Sequence, residues 1–316
     1  MNRDGQPGAA LAAIAARHGV PAEKVRPTVS GVANRAYLLG PDLVLRVPRT
    51  EAFAADLVKE AAVIPVVRAA GVRTPALVTF DDSRKEVGVP YMVLERVPGV
   101  DLAELGDSGG AEEVFREVGR ELARLHRVPP GGVGAPAGVP VEYDPEAEAP
   151  HRLVAGLLAD GMLDAEAARW LDGWFDRLAE RIPGGAAPRV LLHGDIAPQN
   201  LMVTPGPGPV SLTGIVDWGD AMWADPAVEF AKTPLPGVPA MLDGYREACG
   251  DADGDSYDRA WEARVLRHHL TWALARLTNP APVPGERHWT APPASRLLGI
   301  LRFFASSPPE PWRGLA

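Results

Sequence analysis

His193-Gly194-Asp195-Ile196-Ala197-Pro198-Gln199-Asn200-Leu201-Met202-Val203, followed by Gly214-Ile215-Val216-Asp217-Trp218, is the densest chemistry in the chain. Leu201–Val203 and Val210–Val216 read as two strands, separated by the turn composition Pro205-Gly206-Pro207-Gly208-Pro209. An antiparallel hairpin sets the start of its first strand beside the end of its second. Asn200 and Asp217 are therefore expected side by side, with Asp195 one short loop away. One neutral oxygen ligand and one carboxylate suit Mg²⁺, which completes its shell with water and phosphate oxygens. A second carboxylate outside that shell can orient and accept the proton of an attacking hydroxyl.

Outward from this core, the 316 residues allow one large domain or two lobes, and 46% hydrophobic with 23% charged residues is ordinary for a globular chain. No apolar run is long enough to span a membrane, and the N-terminus lacks a basic-then-apolar secretory layout. Cys249 is the single cysteine, so an intrachain disulfide is excluded and a reducing, cytoplasmic setting is expected. The net charge of −9 argues against general nucleic-acid binding. That charge is uneven: residues 1–98 carry 13 basic against 10 acidic side chains, and residues 99–316 carry 19 against 31. Lys24, Lys59, Lys85 and Lys232 are the only lysines in an otherwise arginine-based set.

The first third reads as strand-rich. A helix near 8–18 precedes strands at Ala36–Leu39, Leu43–Val47, Leu77–Phe80 and Tyr91–Glu95, with a helix from Glu51 to about Ile64 between them. Pro65 is expected to kink that helix or open a second. Beyond Pro98-Gly99 the pattern turns helical. Ala111–Arg127 is amphipathic, Asp164 can cap a helix whose apolar face is Trp170, Trp174, Leu178 and Ile182, and Asp258–Leu277 is a late helix. The division predicts an α+β protein with a small β-sheet lobe over residues 1–97 and a larger, mostly helical lobe over 98–316.

His193-Gly194-Asp195, Asn200 five residues after the Asp, and Asp217-Trp218 resemble the catalytic core of the aminoglycoside phosphotransferase family, which includes macrolide and hygromycin kinases. The resemblance runs through roughly residues 28–278 in motif order. It implies the protein-kinase-like fold, Mg²⁺, ATP or GTP as donor, and phosphoryl transfer to a hydroxyl of a small molecule. By this match Asp195 is the catalytic base, and Asn200 with Asp217 holds the metal. Ser30-Gly31-Val32-Ala33-Asn34 is similar to the phosphate-covering loop, which points to Ser30 and Asn34. Arg46 occupies the place of the strand lysine that holds phosphates, with Glu60 as its ion-pair partner. Should Arg46 point outward, Arg35 or Arg49 must serve the phosphates. Tyr91–Gly99 resembles the hinge, where the carbonyl of Glu95 and the N–H of Val97 would meet the base.

His126 is expected to be structural, Asp225 and Glu229 to brace the catalytic loop, and Trp218 and Trp223 to be core. Asp220 either supports the catalytic loop or faces the acceptor. From the charge split, Asp220, Asp243, Glu247 and Glu262 are expected to line an acceptor pocket suited to a cationic molecule. An antibiotic kinase is the first reading. A metabolite kinase of the choline or homoserine type and a non-catalytic nucleotide-binding module remain as alternatives, the last kept open by Arg46.

Overall fold

The computed structural model describes residues 8–28, 31–105, 110–131, 136–141, 149–182, 187–204, 208–250, 260–278 and 293–316. Five strands, β1 (Val25–Pro27), β2 (Asn34–Leu39), β3 (Leu43–Pro48), β4 (Leu77–Asp81) and β5 (Tyr91–Glu95), form an antiparallel sheet in the order β1-β2-β3-β5-β4. Both faces are covered. Tyr91 and Val93 of β5 join Leu45 and Val47 of β3 against Leu11, Ile14 and Ala15 of α1 (Ala9–Arg17). Met92 and Leu94 face the other way, onto Leu57, Ile64 and Val67 of α2 (Ala54–Ala69). Strand alternation then sends Arg46, between Leu45 and Val47, to the α2 face.

No second helix opens at Pro65; α2 runs through it to Ala69. Pro65 lies on the exposed side, where water can satisfy the carbonyl that its missing N–H leaves unpaired. Ile64 and Val67, fully buried on either side of it, hold the helix to the core.

After Glu95 the chain passes Pro98-Gly99 into β6 (Val100–Asp101). Four more strands are found among the described residues: β7 (Val190–Leu192), β8 (Leu201–Val203), β9 (Leu212–Ile215) and β10 (Met222–Ala224). β8 pairs with both β6 and β9, and β7 pairs with β10, all antiparallel. The hairpin expected at 201–216 is therefore present, with Leu201 opposite Ile215; residues 205–207 of its turn lie outside the described set.

The remainder is helical: α3 (Ala111–Leu125), α4 (Pro150–Ala159), α5 (Ala165–Ala179), α6 (Val238–Cys249), α7 (Ala260–Ala275) and α8 (Pro293–Ala305). The apolar stripe of α3, Val114, Val118, Leu122 and Leu125, is fully buried. α3 packs on α6 so closely that a methyl group on Gly119 would strike the Met241 carbonyl, and one on Gly244 the Arg116 carbonyl. Asp164 caps α5 by accepting from the Ala167 N–H at 2.7 Å. Along α5 the four-residue stripe holds only in its middle. Trp174 and Leu178 are buried, whereas Trp170 is 48% exposed and leans on Trp174 at 5.0 Å. Steps of four residues overshoot one turn by about 40°, so a long run of them leaves the buried face. The outcome is the two-lobed α+β architecture. Among the described residues no helix is long and apolar enough to cross a membrane.

Candidate active site

The catalytic-loop segment leaves β7 at Leu192 and is pinned by a buried carboxylate from 35 residues downstream. Glu229 accepts from the His193 N–H at 2.7 Å and from the Gly194 N–H at 3.0 Å. Gly194 has φ 80°, and a side chain there would collide with the Asp220 carbonyl, so only glycine fits. His193, fully buried, sets its ring against Trp218 at 4.5 Å, places Nε2 3.1 Å from the Val216 carbonyl, and receives the Asp195 N–H on Nδ1 at 3.1 Å. Its two ring nitrogens thus tie Asp195 to the end of the hairpin. His126, as expected, is structural: its Nδ1 lies 2.9 Å from the Tyr245 hydroxyl and its ring backs Glu229. Asp225 departs from expectation, because it caps the next short helix through the Ala227 N–H and pairs with Arg264 instead of bracing the loop.

Asn200 and Asp195 meet directly. The Asn200 side-chain amide donates to the Asp195 carbonyl at 2.9 Å and to Asp195 Oδ2 at 2.8 Å. With its nitrogen engaged, Asn200 has its carbonyl oxygen as the atom it could offer a metal. Asp195 is 8% exposed, and burial pushes its carboxyl above the ordinary aspartate range against the opposing pull of Lys232 and His193.

Asp217 sits at the end of β9 with φ 72°, a left-handed conformation that costs a non-glycine residue energy and turns the side chain out of the strand. Its Oδ1 receives Arg46 Nη2 at 2.7 Å, and Arg46 Nη1 pairs with Glu60 of α2. Arg46 therefore points inward, bridging β3, α2 and the hairpin. Burial opposes its charge, but Asp217 and Glu60 outweigh that and raise its pKa. Burial would raise Asp217 as well, yet its side chain is 45% exposed to the cleft, and the Arg46 charge holds its carboxyl below the usual range. Burial pushes Glu60 up, with Arg46 opposing. Arg35 is exposed, and Arg49 donates to the Gly31 carbonyl at 3.0 Å, so neither takes the Arg46 position.

These groups stand at one end of a cleft of about 600 Å³ that opens between the sheet and the helical body. Its far wall is the segment from Leu94 to Val97. There the Arg96 N–H is taken by the Asp42 carbonyl at 2.7 Å, and Pro98 carries no N–H. That leaves the Val97 N–H as the candidate donor of this segment, with Glu95 beside it in the wall. Gly31 to Asn34 form the roof; Asn34 is buried, with its amide oxygen unpartnered. Ser30 lies outside the described residues. A smaller depression of about 340 Å³ near Val66 and Arg124 has no such chemistry; Arg124 is held by Glu121 at 2.5 Å.

The donor set fits Mg²⁺ with a nucleotide. No group of three or more metal-binding side chains occurs among the described residues. Asp217 and Asn200 together offer one carboxylate and one neutral oxygen, the kind of donors Mg²⁺ takes beside phosphate and water oxygens. Glu60 Oε2 and Asp195 Oδ1 are buried without a hydrogen-bond partner.

Of the four carboxylates expected to line the acceptor pocket, the structure brings one to the cleft. Asp220 lies at its mouth. Asp243 and Glu247 instead face Arg116 and Arg120 along the α3–α6 seam, with Glu247 accepting from Arg116 at 2.6 Å and Arg120 at 2.9 Å. Glu262 is buried and pairs with Arg246 at 2.8 Å. A regional charge excess says nothing of side-chain direction, and these three are used between helices. The sequence reading also passed over Lys232, whose Nζ lies 3.3 Å from Asp195 Oδ1 and 3.0 Å from Asp220 Oδ2. Its rarity, as one of four lysines in a chain that otherwise uses arginine, marks it in the sequence but carries no information about its approach to Asp195.

A small sheet over a helical body, with a loop aspartate and a hairpin Asn/Asp pair closing the cleft between them, defines a protein-kinase-like phosphotransferase. Residues 24–273 match the phosphotransferase enzyme family, and the chain belongs to it. It is an enzyme of the small-molecule kinase class. Similar solved structures include the GDP complex of aminoglycoside 2'-phosphotransferase-IIIa, 21% identical with TM-score 0.61 over 89% of this chain and 92% of that one. The macrolide 2'-phosphotransferase MphH from Brachybacterium faecium is 21% identical, with TM-score 0.58 over 85% and 90%. The streptomycin–ATP complex of APH(2")-IIa is 12% identical, with TM-score 0.57 over 86% and 91%. At these identities the likeness is one of fold. No curated protein sequence matches the chain.

Proposed function

We propose that this protein transfers the γ-phosphoryl group of ATP or GTP to a hydroxyl of a small antibiotic. The observation that carries this reading is that Asp195, Asn200 and Asp217 line the same cleft as the segment Leu94 to Val97, with Asn200 bonded to Asp195. Residues 1–97 serve as the nucleotide-binding lobe and 98–316 as the catalytic and acceptor lobe. The Val97 N–H and Glu95 carbonyl receive the base, Asn34 and its loop cover the phosphates, and Arg46 holds them with its charge. Arg46 is fixed by Glu60, which leaves a guanidinium that cannot lose its proton facing the phosphate path. Asp217 and Asn200 would hold Mg²⁺, which would neutralise the charge developing on the phosphate oxygens. Asp195 accepts the hydroxyl proton as the acceptor oxygen bonds to the γ-phosphorus and the bond to the β–γ bridging oxygen breaks, releasing nucleoside diphosphate. The inward Arg46 also removes the main support for a non-catalytic module.

For the acceptor, a molecule with one amine, of the macrolide kind, is favoured over a polycation. Asp220 is the one carboxylate of the expected four at the cleft mouth, and Lys232 lies 3.0 Å from it. A screen of antibiotics and amino alcohols with mass detection of an added phosphate tests the reading. The expected product is a phosphorylated antibiotic, and the KM for the unmodified acceptor should rise only slightly with salt, since screening acts beyond about 8 Å at physiological ionic strength. Phosphorylation of metabolites alone would replace it with the metabolite-kinase alternative.

A further inference from the structure

We propose that Lys232 is a positioning residue for phosphoryl transfer, holding the carboxylate of Asp195 in its working orientation from the side opposite Asn200. This rests on the reading of Asp195 as the base.

The two oxygens of Asp195 are treated differently. Oδ2 takes a hydrogen bond from the Asn200 amide at 2.8 Å. Oδ1 is buried without a hydrogen-bond partner, and Lys232 Nζ stands 3.3 Å away. At that separation the ammonium holds Oδ1 by charge while leaving a lone pair for an incoming hydroxyl. The same ammonium is anchored 3.0 Å from Asp220 Oδ2.

The backbone that delivers Lys232 is fixed on both sides. The Thr233 hydroxyl, fully buried, donates to the Ile196 carbonyl at 2.9 Å, tying the segment to the residue after Asp195. Arg296 of α8 donates to the Ala231 carbonyl at 3.0 Å and the Lys232 carbonyl at 2.8 Å, with its guanidinium 3.8 Å from the Trp272 ring centroid. Residues 196 and 197 are Ile and Ala, so the catalytic loop has no cation of its own just after Asp195. Lys232 reaches the carboxylate from a different element and supplies that charge. An ordinary surface lysine has neither a clamped backbone nor a side chain only 15% exposed.

The test measures kcat and nucleotide KM for Lys232→Met, Lys232→Arg and Asp195→Asn, and for Lys232→Met combined with Asp195→Asn. Turnover is read with the acceptor found in the screen and, independently, as slow transfer to water. Thermal melting checks the fold of each variant. Lys232→Met is expected to lower kcat by about 10- to 100-fold with nucleotide KM within about twofold, as lost alignment of a base would. Lys232→Arg should recover most of the loss. In the Asp195→Asn background Lys232→Met should cost nothing more, because it acts through that carboxylate. Wild-type kcat in Lys232→Met beside an inert Asp195→Asn overturns this proposal alone, as does a loss that multiplies in the double variant. Wild-type turnover in Asp195→Asn overturns the catalytic reading and this proposal with it.

Discussion

Two arginine–carboxylate clusters in this molecule look alike as contact patterns and differ in setting. In the cleft, Arg46 joins Glu60 and Asp217, with Arg46 12% and Glu60 1% exposed and only Asp217, at 45%, open to solvent. On the α3–α6 seam, Arg116 and Arg120 join Glu113, Asp243 and Glu247, every carboxylate being 45–57% exposed. Buried ions whose partners are removed typically cost about 3–5 kcal/mol, whereas exposed pairs are worth about 0–1 kcal/mol. The first cluster can therefore store charge for work on a ligand, and the second merely trims a helix surface. Composition weighs both equally, which is why counting carboxylates assigned Asp243 and Glu247 to the acceptor.

The sharpest way to break this contrast is at Asp195. Asp195→Asn should lower turnover at least about 100-fold while leaving nucleotide affinity nearly intact. Burial holds the Asp195 carboxyl above its ordinary value, so the ionised form is costly in the folded state. The variant should therefore melt at or above the wild-type temperature, which separates lost chemistry from lost fold. For the same reason the acidic limb of kcat/KM should lie above the ordinary aspartate pKa of about 3.9, with activity falling as pH drops through it. Near-wild-type turnover removes Asp195 from the reaction.

A finer test compares Asp217 and Asn200, the two hairpin residues proposed to hold Mg²⁺. Asp217→Ala removes the charged ligand and the Arg46 partner, so Mg²⁺-dependent nucleotide affinity should weaken by about tenfold or more. Asn200→Ala should weaken it less but lower kcat more, since its amide also holds Asp195 Oδ2. Titrating Mg²⁺ against nucleotide affinity in both variants decides the order, and the reverse order means the ligand roles are exchanged.

How much of this was readable in advance follows from the range of the interactions. The hairpin pairing Leu201 with Ile215 is local and needed only a pattern of period two, whereas the direction of Arg46 stayed open in the sequence until the burial of Leu45 and Val47 against α1 showed which face of β3 it takes. Glu60 was legible because α2 follows β3 directly. Lys232 was not, because its approach to Asp195 depends on Thr233 reaching Ile196 and Arg296 reaching two carbonyls from α8. Glu262 and Trp170 failed for a related reason: helical phase relative to neighbours, not residue type, decides which faces are buried.

The smallest expected effect is the most pointed check on the seam. Hydrogen bonds from Arg120 and Arg116 hold the Glu247 carboxyl below its ordinary value. Its pairing is thus complete above the unfolded glutamate pKa of about 4.3 and disappears as pH falls through the depressed folded value. At neutral pH, Glu247→Gln should lower stability by no more than about 0.5 kcal/mol, since the side chain is 45% exposed and solvent screens the pair. For a chain of this size that is a shift of about 1–2 °C in Tm. Below the folded pKa, variant and wild type should melt together. Acceptor KM should be unchanged at every pH and salt concentration, because the carboxylate faces Arg116 and Arg120 and lies outside the lining of the cleft. A severalfold rise in acceptor KM in Glu247→Gln, with nucleotide KM unaltered, would extend the acceptor site over the α3–α6 seam and restore the charge-split reading that the structure otherwise confines to Asp220.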